Sequence, residues 1–151
     1  MYHYRESGLP HVFLKNGYRE IKTANGLCIA IDNVEGLHRA ICKALVNERS
    51  FMNGPEVRFI RKYLDLSQSQ MASYLGVDEQ TVRRWEKLSR VPKQGDLAVR
   101  LMFRDLTREH TAQKSLPELV KRIEQAAPIQ DIAFIYKGAA KTPWQTTLVA
   151  A

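Results

Sequence analysis

Among the twenty residues from Gln68 to Lys87, seven side chains stand out as candidates for contact with a nucleic acid: Gln68, Glu79, Gln80, Thr81, Arg83, Arg84 and Lys87. Their chemistry suits base edges and phosphates. Arginine offers two parallel donors that match the paired acceptors of guanine, glutamine matches adenine, and glutamate accepts from cytosine. Other chemistries find less support. His3, His11, His38 and His110 are scattered and have no nucleophile partner, and neither a glycine-rich phosphate loop nor paired carboxylates appear. The chain is therefore not expected to be an enzyme, and no cofactor is expected. Cys28 and Cys42 form no CxxC pair, so a disulfide framework or a zinc site is not expected, and both read as small buried thiols.

The elements that must position those seven side chains are legible from Leu64 to Glu86. Ser67 can cap a helix, with Gln70 completing an S-x-x-Q box. Met71, Ala72 and Leu75 give that helix its inner face, and the small Ala72 lets a second helix cross closely. Gly76 ends it, because a left-handed residue is needed there. Val77 plugs the turn and Asp78 caps the next helix. Val82 and Trp85, three apart, bury that second helix against the first, which leaves Glu79, Gln80, Thr81, Arg83, Arg84 and Lys87 on its exposed face. Gln68, at the first turn of the preceding helix, is well placed to hold a phosphate beside the helix N-terminus. A rigidly held helix with free polar side chains is what entry into the DNA major groove requires.

Residues 57–104, about a third of the chain, resemble the Cro/repressor (Xre-type) helix-turn-helix family, through the pattern L-S-Q-x-x-x-A-x-x-L-G-V-x-x-x-T-V-x-R-W-E. Ser67, Gln68, Ala72, Leu75, Gly76, Val77, Thr81, Val82, Trp85 and Glu86 fall in register with it. The resemblance implies a lambda-repressor-like bundle of about five helices. It also implies Gln68 as a phosphate-side anchor, Glu79, Gln80, Arg83 and Arg84 as base-edge readers, and Thr81 and Lys87 as backbone contacts. Glu86 is expected to pair with a neighbouring arginine such as Arg58 or Arg61 of the first helix, or to accept local hydrogen bonds, since a carboxylate facing phosphate is repelled. The overall layout is similar to antitoxins of the MqsA and HigA kind. That similarity implies a cognate toxin as a further partner and autoregulation of an operon, although the zinc-binding cysteines of the MqsA type are not present. A protein-interaction module that keeps the helix-turn-helix shape without binding DNA is the other alternative.

The remainder of the chain frames this segment. With 151 residues, 44% hydrophobic and 26% charged, the sequence is long and apolar enough for a real core. No run approaches the roughly 18 apolar residues of a membrane span. Met1 to Glu6 lacks a signal peptide's apolar stretch, so a cytoplasmic location is expected. The formal net charge is +7, and between Glu79 and Arg104 seven basic residues face three acidic ones, a balance suited to a polyanion. Asn16-Gly17 and Asn25-Gly26 are hairpin-turn dipeptides. They separate His11–Lys15, Tyr18–Thr23 and Leu27–Asp32, which read as an antiparallel meander with Leu27, Ile29 and Ile31 on its buried face. Asn33 caps an expected helix over 34–46 that covers the sheet.

A further helix opens at Gly54-Pro55. Another is expected from Gly95 to Leu106, with Leu97, Leu101 and Met102 or Phe103 inside. A third runs over 116–126 behind a Ser115/Glu118 box and stops before Pro128. Ile132 to Val149 reads as a hairpin. The expected fold class is α+β: a helix-turn-helix bundle with a small N-terminal antiparallel β-meander plus helix and a C-terminal β-hairpin. The expected domains are 1–50, 54–106 and 107–151, the last serving dimerisation or packing on the N-terminal sheet. A homodimer is expected, because one recognition helix reads only about four or five base pairs.

Overall fold

Helices and strands follow the turn signals of the sequence in the computed structural model, which describes residues 1–108, 115–125 and 130–149. The fold is α+β, and it divides into two compact units, Met1–Ile41 with Ile129–Ala151, and Cys42–Pro128. The segment 107–151, read as one region from sequence, is thus shared between the two units. Among the described residues no helix is long and apolar enough to cross a membrane.

The first unit holds six strands: β1 (Tyr2–His3), β2 (Val12–Leu14), β3 (Tyr18–Thr23), β4 (Gly26–Ile31), β5 (Ile132–Tyr136) and β6 (Trp144–Thr147). They do not form the expected meander. β1, β2, β5 and β6 make one sheet in that order, and β3 and β4 make a separate two-stranded hairpin. β2 runs parallel to β5, with Val12 opposite Ile132 and Leu14 opposite Phe134, while β5 and β6 are the expected hairpin. This parallel pair forms the centre of the sheet, where Leu14, Ala133 and Phe134 are all fully buried.

The reason the meander fails lies at Asn16-Gly17. The Asn16 amide donates to the Tyr136 carbonyl at 3.1 Å and accepts from the Tyr136 amide at 2.6 Å, so it imitates a strand partner. Gly17 has φ +74°, and a Cβ there would lie 2.6 Å from the Trp144 ring. This dipeptide is a docking point for the C-terminal hairpin rather than a turn between paired strands. Trp144 completes the closure, its indole N–H donating to the Asp32 carbonyl at 2.8 Å. Phe134 and Trp144 are therefore covered within the chain, while Leu148 at the end of the tail is exposed.

The β3–β4 hairpin turns at Ala24-Asn25, one residue before the expected Asn25-Gly26, and Gly26, at φ +113°, is already the first residue of β4 opposite Thr23. Its tip is exposed, and Leu27, expected inside, is 64% exposed. Cys28 is also exposed, against the expectation of two buried thiols, whereas Cys42 is buried and both are free. Helix α1 (Val34–Glu48) follows, and the boundary between the units falls within it. The Asn33 side chain accepts from the Gly36 amide as the expected cap. His38, half-buried, bonds the Tyr4 hydroxyl at 2.7 Å, and burial lowers its pKa.

The second unit comprises α2 (Gly54–Tyr63), α3 (Gln68–Leu75), α4 (Glu79–Trp85), α5 (Lys93–Thr107) and α6 (Leu116–Glu124). α2 starts on a reciprocal box in which Asn53 accepts from the Glu56 amide and Glu56 accepts from the Asn53 amide, both at 2.9 Å. Ser115 caps α6, which buries Leu119 and Ile123 and ends at Glu124. Pro128, its expected stop, and His110 lie outside the described residues.

α5 buries the expected Met102 and Phe103, but the rest of its inner face differs from the expected one. Leu101 is exposed, while Asp96, Val99, Arg100, Met102 and Phe103 are buried. The cause is a buried ion pair at positions that hydrophobic periodicity reads as surface. Arg100 Nε donates to Asp96 Oδ1 at 2.6 Å, and its Nη1 donates to the carbonyls of Val46 and Arg49. Asp96 Oδ2 in turn accepts the Met52 amide at 2.8 Å. Removing one partner of such a pair strands a buried charge. Asp96→Ala is expected to lower stability by about 3–5 kcal/mol in urea denaturation. A loss under about 1 kcal/mol would show that Asp96 does not hold Arg100 and Met52 in place.

Candidate nucleic-acid interface

Side-chain caps and one left-handed glycine set the angle between α3 and α4. Ser67 accepts from the Gln70 amide at 3.0 Å, and Gln70 returns a bond to the Ser67 amide at 2.8 Å. Gly76 closes α3 at φ +69°. The Val77 amide donates back to the Ala72 carbonyl at 3.0 Å. Asp78 has the extended conformation of an N-cap, but its side chain makes no capping bond, so backbone geometry alone starts α4.

The inner face of α4 is Val82 and Trp85, both buried, with Met71 and Ala72 of α3 also buried. Two glycines permit close approach to the C-terminal end of α4. The Gly54 amide donates to the Leu88 carbonyl at 2.7 Å. A Cβ on Gly54 would stand 2.3 Å from the Glu86 carbonyl oxygen, and one on Gly95 would stand 2.7 Å from the Trp85 ring.

A chain of hydrogen bonds then links three helices. Arg61 of α2 grips Glu86 through Nε at 2.7 Å and Nη2 at 3.1 Å, and its Nη1 holds the Leu66 carbonyl at 2.9 Å. Of the two arginines expected as partners of Glu86, Arg61 takes the role, and Arg58 stays exposed. Gln68 Nε2 donates to Glu86 Oε1 at 3.2 Å, and Gln68 Oε1 accepts from Arg83 Nε at 3.3 Å. Arg83 Nη2 reaches Glu79 Oε1 at 2.9 Å, one helical turn back.

The seven residues expected at the site fall into two sets. Gln80, Arg83, Arg84 and Lys87 are exposed, while Gln68, Glu79 and Thr81 are half-covered. An open recess of about 600 Å³ runs between α2, α3 and α4, lined by Gln68, Glu79, Arg83 and Lys87 together with Arg58, Arg61, Ser67 and Glu86. Arg58 at this edge was not singled out from sequence as part of the site. Its signal was available, since it lies three residues before Arg61 and so on the same side of α2. The bonding of Gln68 in two directions had no sequence signal.

The fit around Gly54 is testable. Gly54→Ala forces a methyl against backbone rather than a movable side chain, and is expected to lower stability by about 1–3 kcal/mol in urea denaturation. An unchanged midpoint would mean that the close approach of α2 to the end of α4 is not needed.

Residues 57–98 match the family model described as helix-turn-helix. Comparison with curated proteins and with solved structures found no match. The geometry from Ser67 to Glu86 and this match together support a helix-turn-helix of Cro/Xre type in this part of the chain, and with it a DNA-binding domain of the transcription-regulator kind.

Proposed function

We propose that the chain is a sequence-specific double-stranded DNA-binding regulator, a repressor that occupies a palindromic operator as a homodimer and lays α4 in the major groove. One observation carries this reading. Four long polar side chains, three of them cationic, are exposed on or just beyond a short helix whose opposite face is fixed by Val82, Trp85 and the Arg61–Glu86 pair. A helix held in this way meets DNA without reorganising its own backbone.

The roles divide by freedom. Arg83 is already oriented by Glu79 and Gln68. Arg84 is exposed, and among the described residues it has no ion-pair or side-chain hydrogen-bond partner, so it is free to extend to guanine. Gln80 is exposed beside it at the start of α4. Lys87 and Thr81 flank these readers and suit phosphate. The Gln68 side chain is engaged within the protein, so an anchoring phosphate would meet the free amides at the start of α3. Arg58 adds positive charge at the same edge.

The test is affinity for a duplex selected from a random pool. Arg84→Ala and Arg83→Ala are each expected to weaken specific binding by about 1–3 kcal/mol in fluorescence anisotropy, with unchanged circular dichroism. Retention of full affinity by the double variant would remove α4 from the interface.

A further inference from the structure

The β3–β4 hairpin has a feature that DNA recognition does not use. A two-stranded hairpin is marginal in water unless another strand or a packed face supports it. β3 is paired only with β4 among the described residues, and it is exposed from Arg19 through Thr23. β4, by contrast, is half-covered from Ile29 to Ile31. Ile21, at the middle of β3, is 46% exposed. Glu20 and Lys22, on either side of it, have no ion partner among the described residues.

We infer that the outer edge of β3 is the docking site for a second copy of this chain, related by a two-fold axis at Ile21. The argument is charge order. In an antiparallel pairing centred on Ile21, Glu20 lies opposite the partner's Lys22, and Lys22 lies opposite the partner's Glu20. Arg19 meets the partner's Thr23, and the two Ile21 side chains meet at the axis. Charged residues on an edge strand ordinarily discourage unwanted pairing, because like charges come to face each other. The order Glu-Ile-Lys does the reverse against an antiparallel copy of itself, placing opposite charges face to face. The pairing joins two hairpins into a four-stranded sheet and covers Ile21. It is isologous, as a two-fold dimer requires.

The inference deepens the proposed function, since an inverted DNA repeat calls for a symmetric dimer, but it is tested without DNA. The full chain is examined by analytical ultracentrifugation. The wild-type chain is expected to dimerise. Glu20→Lys places like charges opposite each other twice, and is expected to weaken the dimer about tenfold or more. Adding Lys22→Glu is expected to restore it.

A second arm avoids reliance on charge. Facing Cα atoms in an antiparallel pair lie about 4.5–5.5 Å apart, within the span a disulfide bridges. Ile21→Cys, in a Cys28→Ser background, is expected to oxidise to a covalent dimer. A chain that stays monomeric at all concentrations, a dimer indifferent to Glu20→Lys, or an Ile21→Cys variant that does not cross-link would each overturn the inference. In any of those cases, selected-duplex binding that depends on Arg83 and Arg84 would leave the major-groove reading standing. Dimerisation with no DNA binding would do the opposite.

Discussion

The Arg61–Glu86 ion pair is the contact on which the geometry of the proposed reading head depends. Both side chains are nearly buried, and each of the three guanidinium nitrogens of the arginine donates to Glu86 or to the Leu66 carbonyl. A buried pair is useful only when its remaining hydrogen-bonding groups are satisfied. Here the same carboxylate that neutralises Arg61 also receives Gln68, so α2, α3 and the end of α4 converge on two oxygen atoms. Trp85, one residue earlier, packs over Gly95 on the other side. Rotation of α4 about its axis would break polar contacts on one side and apolar contacts on the other. The exposed arginines therefore project from a fixed base, and little ordering of the backbone is left for binding to supply.

Charge is divided within this small region. Glu86 is consumed internally and Glu79 is held by Arg83, so the acidic groups of α4 do not stand alone against a phosphate backbone. Arg84, Lys87 and Arg58 remain exposed at the rim. A buried ion pair recurs at Asp96 and Arg100, although Arg100 Nη2 has no hydrogen-bond partner among the described residues. There an ion pair with no solvent exposure ties α5 to the carbonyls of Val46 and Arg49 and to the Met52 amide. The polar contacts of this unit thus fix the helices in one register, while Val57, Ile60, Val99, Met102 and Phe103 supply apolar burial.

Features written in adjacent residues were legible in the sequence. The Ser67–Gln70 box, the left-handed Gly76, the buried Val82 and Trp85, and, to within one residue, the turn of the β3–β4 hairpin each follow from the conformational needs of a few neighbouring residues. Features that depend on distant partners were not. Asn16-Gly17 carries the same turn signal as Asn25-Gly26, yet its amide is taken by Tyr136, 120 residues away. Alternation in 132–136 indicated a strand but not that it would run parallel to β2. On α5, Asp96 and Arg100 look like surface charges, so periodicity placed Met102 and Phe103 inside as found but also turned Leu101 inward. On and beside α4, residue types indicated that Gln80, Arg83, Arg84 and Lys87 would be exposed, but not that Glu79 and Thr81 would be half-covered. They did not indicate that Gln68 would spend both ends of its amide on Glu86 and Arg83.

The central claim is that the outward face of α4, with the start of α3, meets DNA while the buried side stays as it is. It is tested most directly by titrating isotope-labelled protein with a selected duplex and following backbone amide resonances. The account predicts that the largest shifts fall on Gln68, Ser69 and residues 79–87, with Gly54 and Gly95 little changed. Shifts concentrated elsewhere in the chain, with α4 unmoved at saturation, would contradict it.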